Sequence, residues 1–364
     1  MLYQLIEQDS QLFTYCESLK SAKHIALDSE FVRTKTFYPH LGLLQIFDGQ
    51  QIALIDPLQI KHWQPLMDII ADQSVEKYFH ACSEDIEVFL VHFNLLPLPV
   101  IDSQVFASFL DNPLSSGYAA LVKKYLAIDL DKSETRTDWL KRPLSNKQCV
   151  YAANDVNYLL PLVEHLKTLL LEKGWLNAAY DECEHIVKRK CNVTKPDEAY
   201  LNIKNAWQLS SKQLAYLQKL ASWRYDFAKS HDIALNFIVH EELLWKFARY
   251  RPQSLAELSA LGLKGREIRL YGETLLQILH QQLNPIAPIE RVINYPDYKK
   301  WVKEIKQIAE AISTKTALST ELLVSRRHID QYIKWHHQSS SSTKLPLPEL
   351  LSGWRGELFK YYLS

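Results

Sequence analysis

The first hundred residues alternate short apolar runs with longer amphipathic stretches. Strands are predicted at 1–6, 24–32, 41–47, 51–55, 77–80 and 100–102, because each run is rich in Ile, Leu, Phe, Tyr or Val. Helices are predicted at 9–22, with Ser10 or Asp9 as the cap, and at 63–72 and 84–93. Ile86, Phe89, Leu90 and Phe93 form the i, i+3, i+4, i+7 stripe of a helix buried on one face. Asp48-Gly49 marks a turn between two of the strands. Three strands joined by tight turns, followed by alternating helix and strand, predict a mixed sheet with helices on its faces. After residue 102 the pattern is helical almost to the end.

Two breaks divide the helical part. Residues 191–205 lose the periodicity and contain Pro196, and 285–296 contain three prolines. The predicted organisation is an α/β domain at 1–190, a linker at 191–205, a helical domain at 206–284, a Pro-rich linker at 285–296 and a second helical domain at 297–364. The two helical pieces echo each other. Residues 238–244 resemble 323–329, and 262–268 resemble 353–358. Gly262-Leu263-Lys264-Gly265 suits either a glycine helix cap or a backbone phosphate cradle.

Asp28 and Glu30 interrupt the apolar run His-Ile-Ala-Leu-Asp-Ser-Glu-Phe-Val at 24–32. Residues two apart on a strand point the same way, so two carboxylates would project together from a core element. Buried carboxylates repel one another and cost solvation unless cations sit between them. A strand edge open to water is the alternative. Asp85 falls in the first turn of a helix that Ser83 is placed to cap, where the helix dipole alone would favour an acid. Ser145-x-x-Gln148 is a capping box. In the helix it opens, Tyr151 and Asp155 stand one turn apart on one face, which also suits an ordinary surface pair. Asp102, just before a helix, reads as an N-cap.

Taken in order, D-x-E, a helical Asp and Y-x-x-x-D match the pattern of the DEDD exonuclease superfamily, in its tyrosine-containing subgroup. Residues 38–46, 80–85, 101–104 and 130–139 resemble the ribonuclease D family, and the helical repeats resemble HRDC domains. The resemblance covers essentially the whole chain. It implies an RNase H-like/DnaQ-like α/β nuclease domain followed by two all-α HRDC-like domains. It also implies a 3′→5′ exoribonuclease that trims single-stranded 3′ ends of tRNA precursors and other structured RNAs and releases nucleoside 5′-monophosphates. Two divalent metal ions (Mg or Mn, with Zn possible in crystals) would be held by Asp28, Glu30, Asp85 and Asp155. Asp28 would bridge both ions and Glu30 would hold the one nearer the attacking water. Tyr151 would orient that water, since a phenol with an ordinary pKa near 10 is a poor base at neutral pH. Lys132, Ser133, Arg136 and Trp139 are candidates for gripping phosphate and stacking a base, or belong to a loop that packs structurally. His80 is either a substrate contact or a packed core residue. A DNA 3′→5′ exonuclease would use the same carboxylates, but no P-loop or other helicase or polymerase motif accompanies them. A catalytically dead binding module is the third reading, and it would require a missing carboxylate.

Composition narrows the setting. The five cysteines are scattered without a CxxC pair, which implies free thiols in a reducing cytoplasm. The acidic N-terminus does not read as a signal peptide, and no apolar stretch is long enough for a membrane span. The expectation is a cytoplasmic monomer. Residues 1–190 carry 18 Lys and Arg against 25 Asp and Glu, whereas 191–364 carry 24 against 17. That split fits a metal-using half and a half that meets a polyanion.

Overall fold

The apolar runs pair into one six-stranded sheet: β1 (Tyr3–Ile6), β2 (His24–Val32), β3 (His40–Phe47), β4 (Ile52–Ile55), β5 (Glu76–Phe79) and β6 (Val100–Asp102). Their order is β1-β4-β3-β2-β5-β6. β3 runs antiparallel to both β2 and β4, while β1 is parallel to β4, β5 is parallel to β2 and β6 is parallel to β5. The computed structural model describes residues 3–130, 137–191, 194–338 and 346–363.

Helices α1 (Asp9–Leu19), α2 (Gln64–Ala71), α3 (Ser83–Phe93), α4 (Ser103–Ser108), α5 (Tyr118–Leu126), α6 (Asn146–Asn157), α7 (Leu159–Glu172) and α8 (Leu176–Cys191) complete the α/β part. One face of the sheet presents Ile25, Leu27, Leu44 and Ile46 to Leu12, Tyr15 and Leu19 of α1, Leu66 and Ile70 of α2, and Ile86 and Phe89 of α3. Each of these large side chains contributes about 1.5–3 kcal/mol by leaving water. By alternation, Ala26, Asp28 and Glu30 belong to the opposite face. There α6 packs on β2, β3 and β4.

Two helix starts differ from expectation. α1 is capped at Gln8 and ends at Leu19 instead of running to residue 22. Asp9 instead accepts from the backbone N–H groups of Lys61 and His62, at 2.9 and 3.0 Å. α3 begins at Ser83 itself, with Cys82 in the cap position. The predicted tight turn between β2 and β3 is also absent. Residues 33–39 instead belong to a second compact unit with 192–294.

That second unit contains α9 (Ser211–His231), α10 (Leu235–Ile238), α11 (Glu241–Tyr250), α12 (Leu255–Ala260) and α13 (Gly265–His280), around Leu214, Leu217, Phe247 and Leu275. Phe37 meets Tyr225 edge-on at 5.3 Å, and Tyr38 N–H donates to Asp232 at 2.9 Å. The first unit gathers residues 1–32, 40–191 and 295–364. Its last part holds α14 (Tyr298–Thr316), α15 (Thr320–Leu323), α16 (Arg326–Gln338) and α17 (Gly353–Leu363). Buried Arg355 of α17 forms an ion pair with Glu182 of α8, and Trp354 Nε1 donates to the same carboxylate at 3.3 Å. Among the described residues no helix is long and apolar enough to cross a membrane.

Candidate active site

α6 is set down on the sheet by local sequence. In its capping box, Gln148 N–H donates to Ser145 Oγ at 3.2 Å and Ser145 N–H donates to Gln148 Oε1 at 3.0 Å. Ala152 and Ala153 are fully buried, so the helix approaches the strands closely. Tyr151 and Asp155 are thereby brought over β2. Carboxylate oxygens of Asp28, Glu30 and Asp155 lie within 4.8 Å of one another.

Asp85 reaches the site from the other face of the sheet. Ser29 lies between Asp28 and Glu30 and points away from them. Its hydroxyl donates to Asp85 Oδ1 at 2.5 Å. Asp85 is therefore not one of the close trio, although it lines the same cleft of about 260 Å³ together with Phe31, His80, Tyr118, Tyr151 and Leu159. The start of α3 is held by Asp102, a buried carboxylate that accepts from the N–H groups of Ala81, Cys82 and Gln104 at 3.0, 2.8 and 2.8 Å. Asp102 caps α4, as expected for an N-cap.

Burial is the main cause of raised pKa values here, and mutual repulsion adds to it. Asp28 is pushed well above the usual carboxylate range by burial and then by the charges of Asp85, Asp155 and Glu30. Glu30 is pushed up to about 9 by burial, Asp155 and Asp85. Asp85 rises to about 7 through burial, against the hydrogen bond from Ser29. Asp155 rises to about 7 through burial, against its hydrogen bond with Tyr151. Burial and the neighbouring carboxylates also raise Tyr151, so its phenol stays protonated at neutral pH. A site that resists four negative charges when empty suits bound cations, and an all-oxygen donor set suits hard ones.

The other expected contacts divide. His80 lines the cleft, with Nδ1 at 2.8 Å from Ser103 Oγ and its ring 5.4 Å from Tyr118. Burial lowers its pKa, so the imidazole is neutral. Lys132, Ser133 and Arg136 lie outside the described residues. Trp139 does not offer an open face to a base. It is 2% exposed and packs behind Tyr151, with ring centroids 6.2 Å apart. An aromatic residue in a polar loop reads the same in sequence whether it meets solvent or fills a gap. Ser29 and Tyr118 were not singled out from sequence. Strand alternation puts Ser29 on the face opposite Asp28 and Glu30, the signal that could have found it, but Tyr118 gave no local signal.

A family model for 3′-5′ exonucleases matches residues 3–171. An HRDC domain model matches 213–279, and the C-terminal HRDC domain of ribonuclease D matches 296–363. Ribonuclease D of Musicola paradisiaca is 51% identical over 99% of this chain and 97% of its own length. The chain belongs to the ribonuclease D family. Ribonuclease D of Escherichia coli K12 is 49% identical, over 98% of this chain and 96% of its own. The crystal structure of Escherichia coli RNase D superposes with a TM-score of 0.95, covering 100% of this chain and 98% of that one. As a ribonuclease D family member, the chain is a 3′→5′ exonuclease and a hydrolase, with a mixed-sheet nuclease domain followed by HRDC domains.

Proposed function

We propose that this chain is an exoribonuclease that trims single-stranded 3′ extensions of tRNA precursors and other structured RNAs and releases nucleoside 5′-monophosphates. The observation that carries this reading is the convergence of Asp28, Glu30 and Asp155 within 4.8 Å, with Asp85 and Tyr151 in the same cleft. These four carboxylates would hold two divalent cations, Mg²⁺ or Mn²⁺. Such ions supply a water of lowered pKa and charge to stabilise both the attacking and the leaving oxygen. Tyr151, protonated, donates a hydrogen bond that orients the attacking water; it does not take its proton. Ser29 holds Asp85 from behind, and Asp102 holds the helix that carries it. Phe31, His80 and Tyr118 give the cleft rings against which a terminal nucleotide packs, the usual mode for unpaired RNA.

Initial rates on matched 3′-tailed RNA and DNA strands test the substrate class. RNA is expected to be shortened faster, and an equal or faster rate on DNA would favour a DNA exonuclease.

A further inference from the structure

Behind Tyr151 the structure holds a partly buried guanidinium clamp. Arg142 Nε donates to Asp56 Oδ2 at 2.6 Å, and Nη2 donates to Asp56 Oδ1 at 2.7 Å. The same guanidinium donates to Gly42 O at 2.6 Å and to Trp139 O at 2.8 Å. The Asp56 side chain is 1% exposed and that of Arg142 20%, so the fork works away from solvent, where two-pronged pairing has most effect.

The anchoring points are placed with respect to the site. Asp56 follows the end of β4. Gly42 is the extra residue of a β-bulge, since Glu30 pairs with Leu43 but Phe31 with Leu41. A Cβ on Gly42 would stand 2.7 Å from Trp139 O, so the loop lies directly on that bulge. The Trp139 ring packs against Tyr151. Three residues beyond Arg142, Ser145 caps the helix that carries Tyr151 and Asp155. One side chain thus ties the bulge beside Glu30, the ring behind Tyr151 and the approach to α6.

We propose that Arg142, through Asp56 and the Trp139 loop, is a positioning residue that fixes the Tyr151 phenol for hydrolysis. This rests on the reading of Tyr151 as the group that orients the attacking water. A fork that only stapled the loop would affect stability alone. A fork that aims Tyr151 affects turnover, and only while the phenol is present.

The test is a double-mutant cycle on the full chain with Mn²⁺ and a 3′-tailed RNA. Arg142→Lys keeps a cation opposite Asp56 but loses the fork. It should lower kcat by about ten-fold or more, as a slight misplacement of a reacting group does. KM and Mn²⁺ affinity should stay within about two-fold, since neither ground-state binding nor the carboxylates change. The double variant Arg142→Lys/Tyr151→Phe should turn over no more slowly than Tyr151→Phe alone, because residues acting as one unit are not additive. Independent, multiplying losses would overturn the proposal, as would an effect on KM or metal affinity in place of kcat. If Arg142→Lys does not fold, Asp56→Asn, which keeps the shape opposite the fork but removes its charge, gives the same cycle. Wild-type turnover by Tyr151→Phe alone would overturn the reading of Tyr151 itself, and the proposal with it.

Discussion

A carboxylate held out of water keeps its proton, and four of them together keep it harder. Asp85 and Asp155 are raised to about 7 and Glu30 to about 9, with burial the leading cause in each. Their unfolded values lie near ~4. The folded, metal-free state therefore binds protons more tightly than the unfolded one. The stability these groups contribute is present below about pH 4 and is lost as pH rises through about 7 and 9. Thermal melts in EDTA should show a falling midpoint between pH 6 and pH 9, and Asp28→Asn should recover part of the loss at pH 9 by removing one charge. A midpoint that climbs over this range would contradict the electrostatic picture. Divalent cations must displace those protons, so their binding should release protons near neutral pH. Tyr151→Phe is expected to leave Mn²⁺ affinity nearly intact while slowing turnover. Calorimetry beside single-turnover kinetics separates the two, and loss of metal binding would remove Tyr151 from its assigned role.

Element geometry decides which acids meet. β2 sends Asp28 and Glu30 to one face and Ser29 to the other, and α3 and α6 arrive from opposite sides. Asp102 sets the start of α3 through the N–H groups of Ala81 and Cys82, and caps α4 through that of Gln104. Asp102→Ala leaves those donors without their acceptor, and an unpaired buried donor costs about 1–3 kcal/mol. The variant should lose stability of that order in urea titration and bind metal more weakly through Asp85. Unchanged metal affinity would show that α3 is held by other contacts. Much of this arrangement was legible in the sequence. The apolar run at 24–32 gave β2 its bounds, the capping box gave the start of α6, and alternation put both acids on one face. Other parts left no local trace. Arg142 and Asp56 meet across 86 residues, and the bulge at Gly42 depends on register between strands. The sequence left Trp139 open between stacking a base and packing in its loop, because burial of a loop aromatic is decided by tertiary packing.

At the scale of the whole molecule, the C-terminal helices 295–364 gather with the nuclease sheet, while 33–39 joins 192–294. Composition showed breaks at 191–205 and 285–296 but could not foresee this grouping, because it depends on contacts such as Glu182 with Arg355. Burial pushes Glu182 up, yet the Arg355 and Arg189 guanidinium groups hold it below the usual range. Removing one partner of a buried pair strands the other charge, so Arg355→Ala should cost about 3–5 kcal/mol. Denaturant unfolding reads that loss, and an unchanged midpoint would mean the pair does not secure α17. The central claim is that the clustered carboxylates run a metal-dependent 3′→5′ exoribonuclease. It is tested most directly by following a 5′-labelled, 3′-extended tRNA with wild type and Asp28→Asn, in EDTA and after adding Mg²⁺ or Mn²⁺. The expected result is stepwise shortening from the 3′ end that releases 5′-mononucleotides, stops in EDTA, returns with metal and is lost in the variant. Equal shortening in EDTA or by Asp28→Asn, or an intact RNA with metal present, would contradict it.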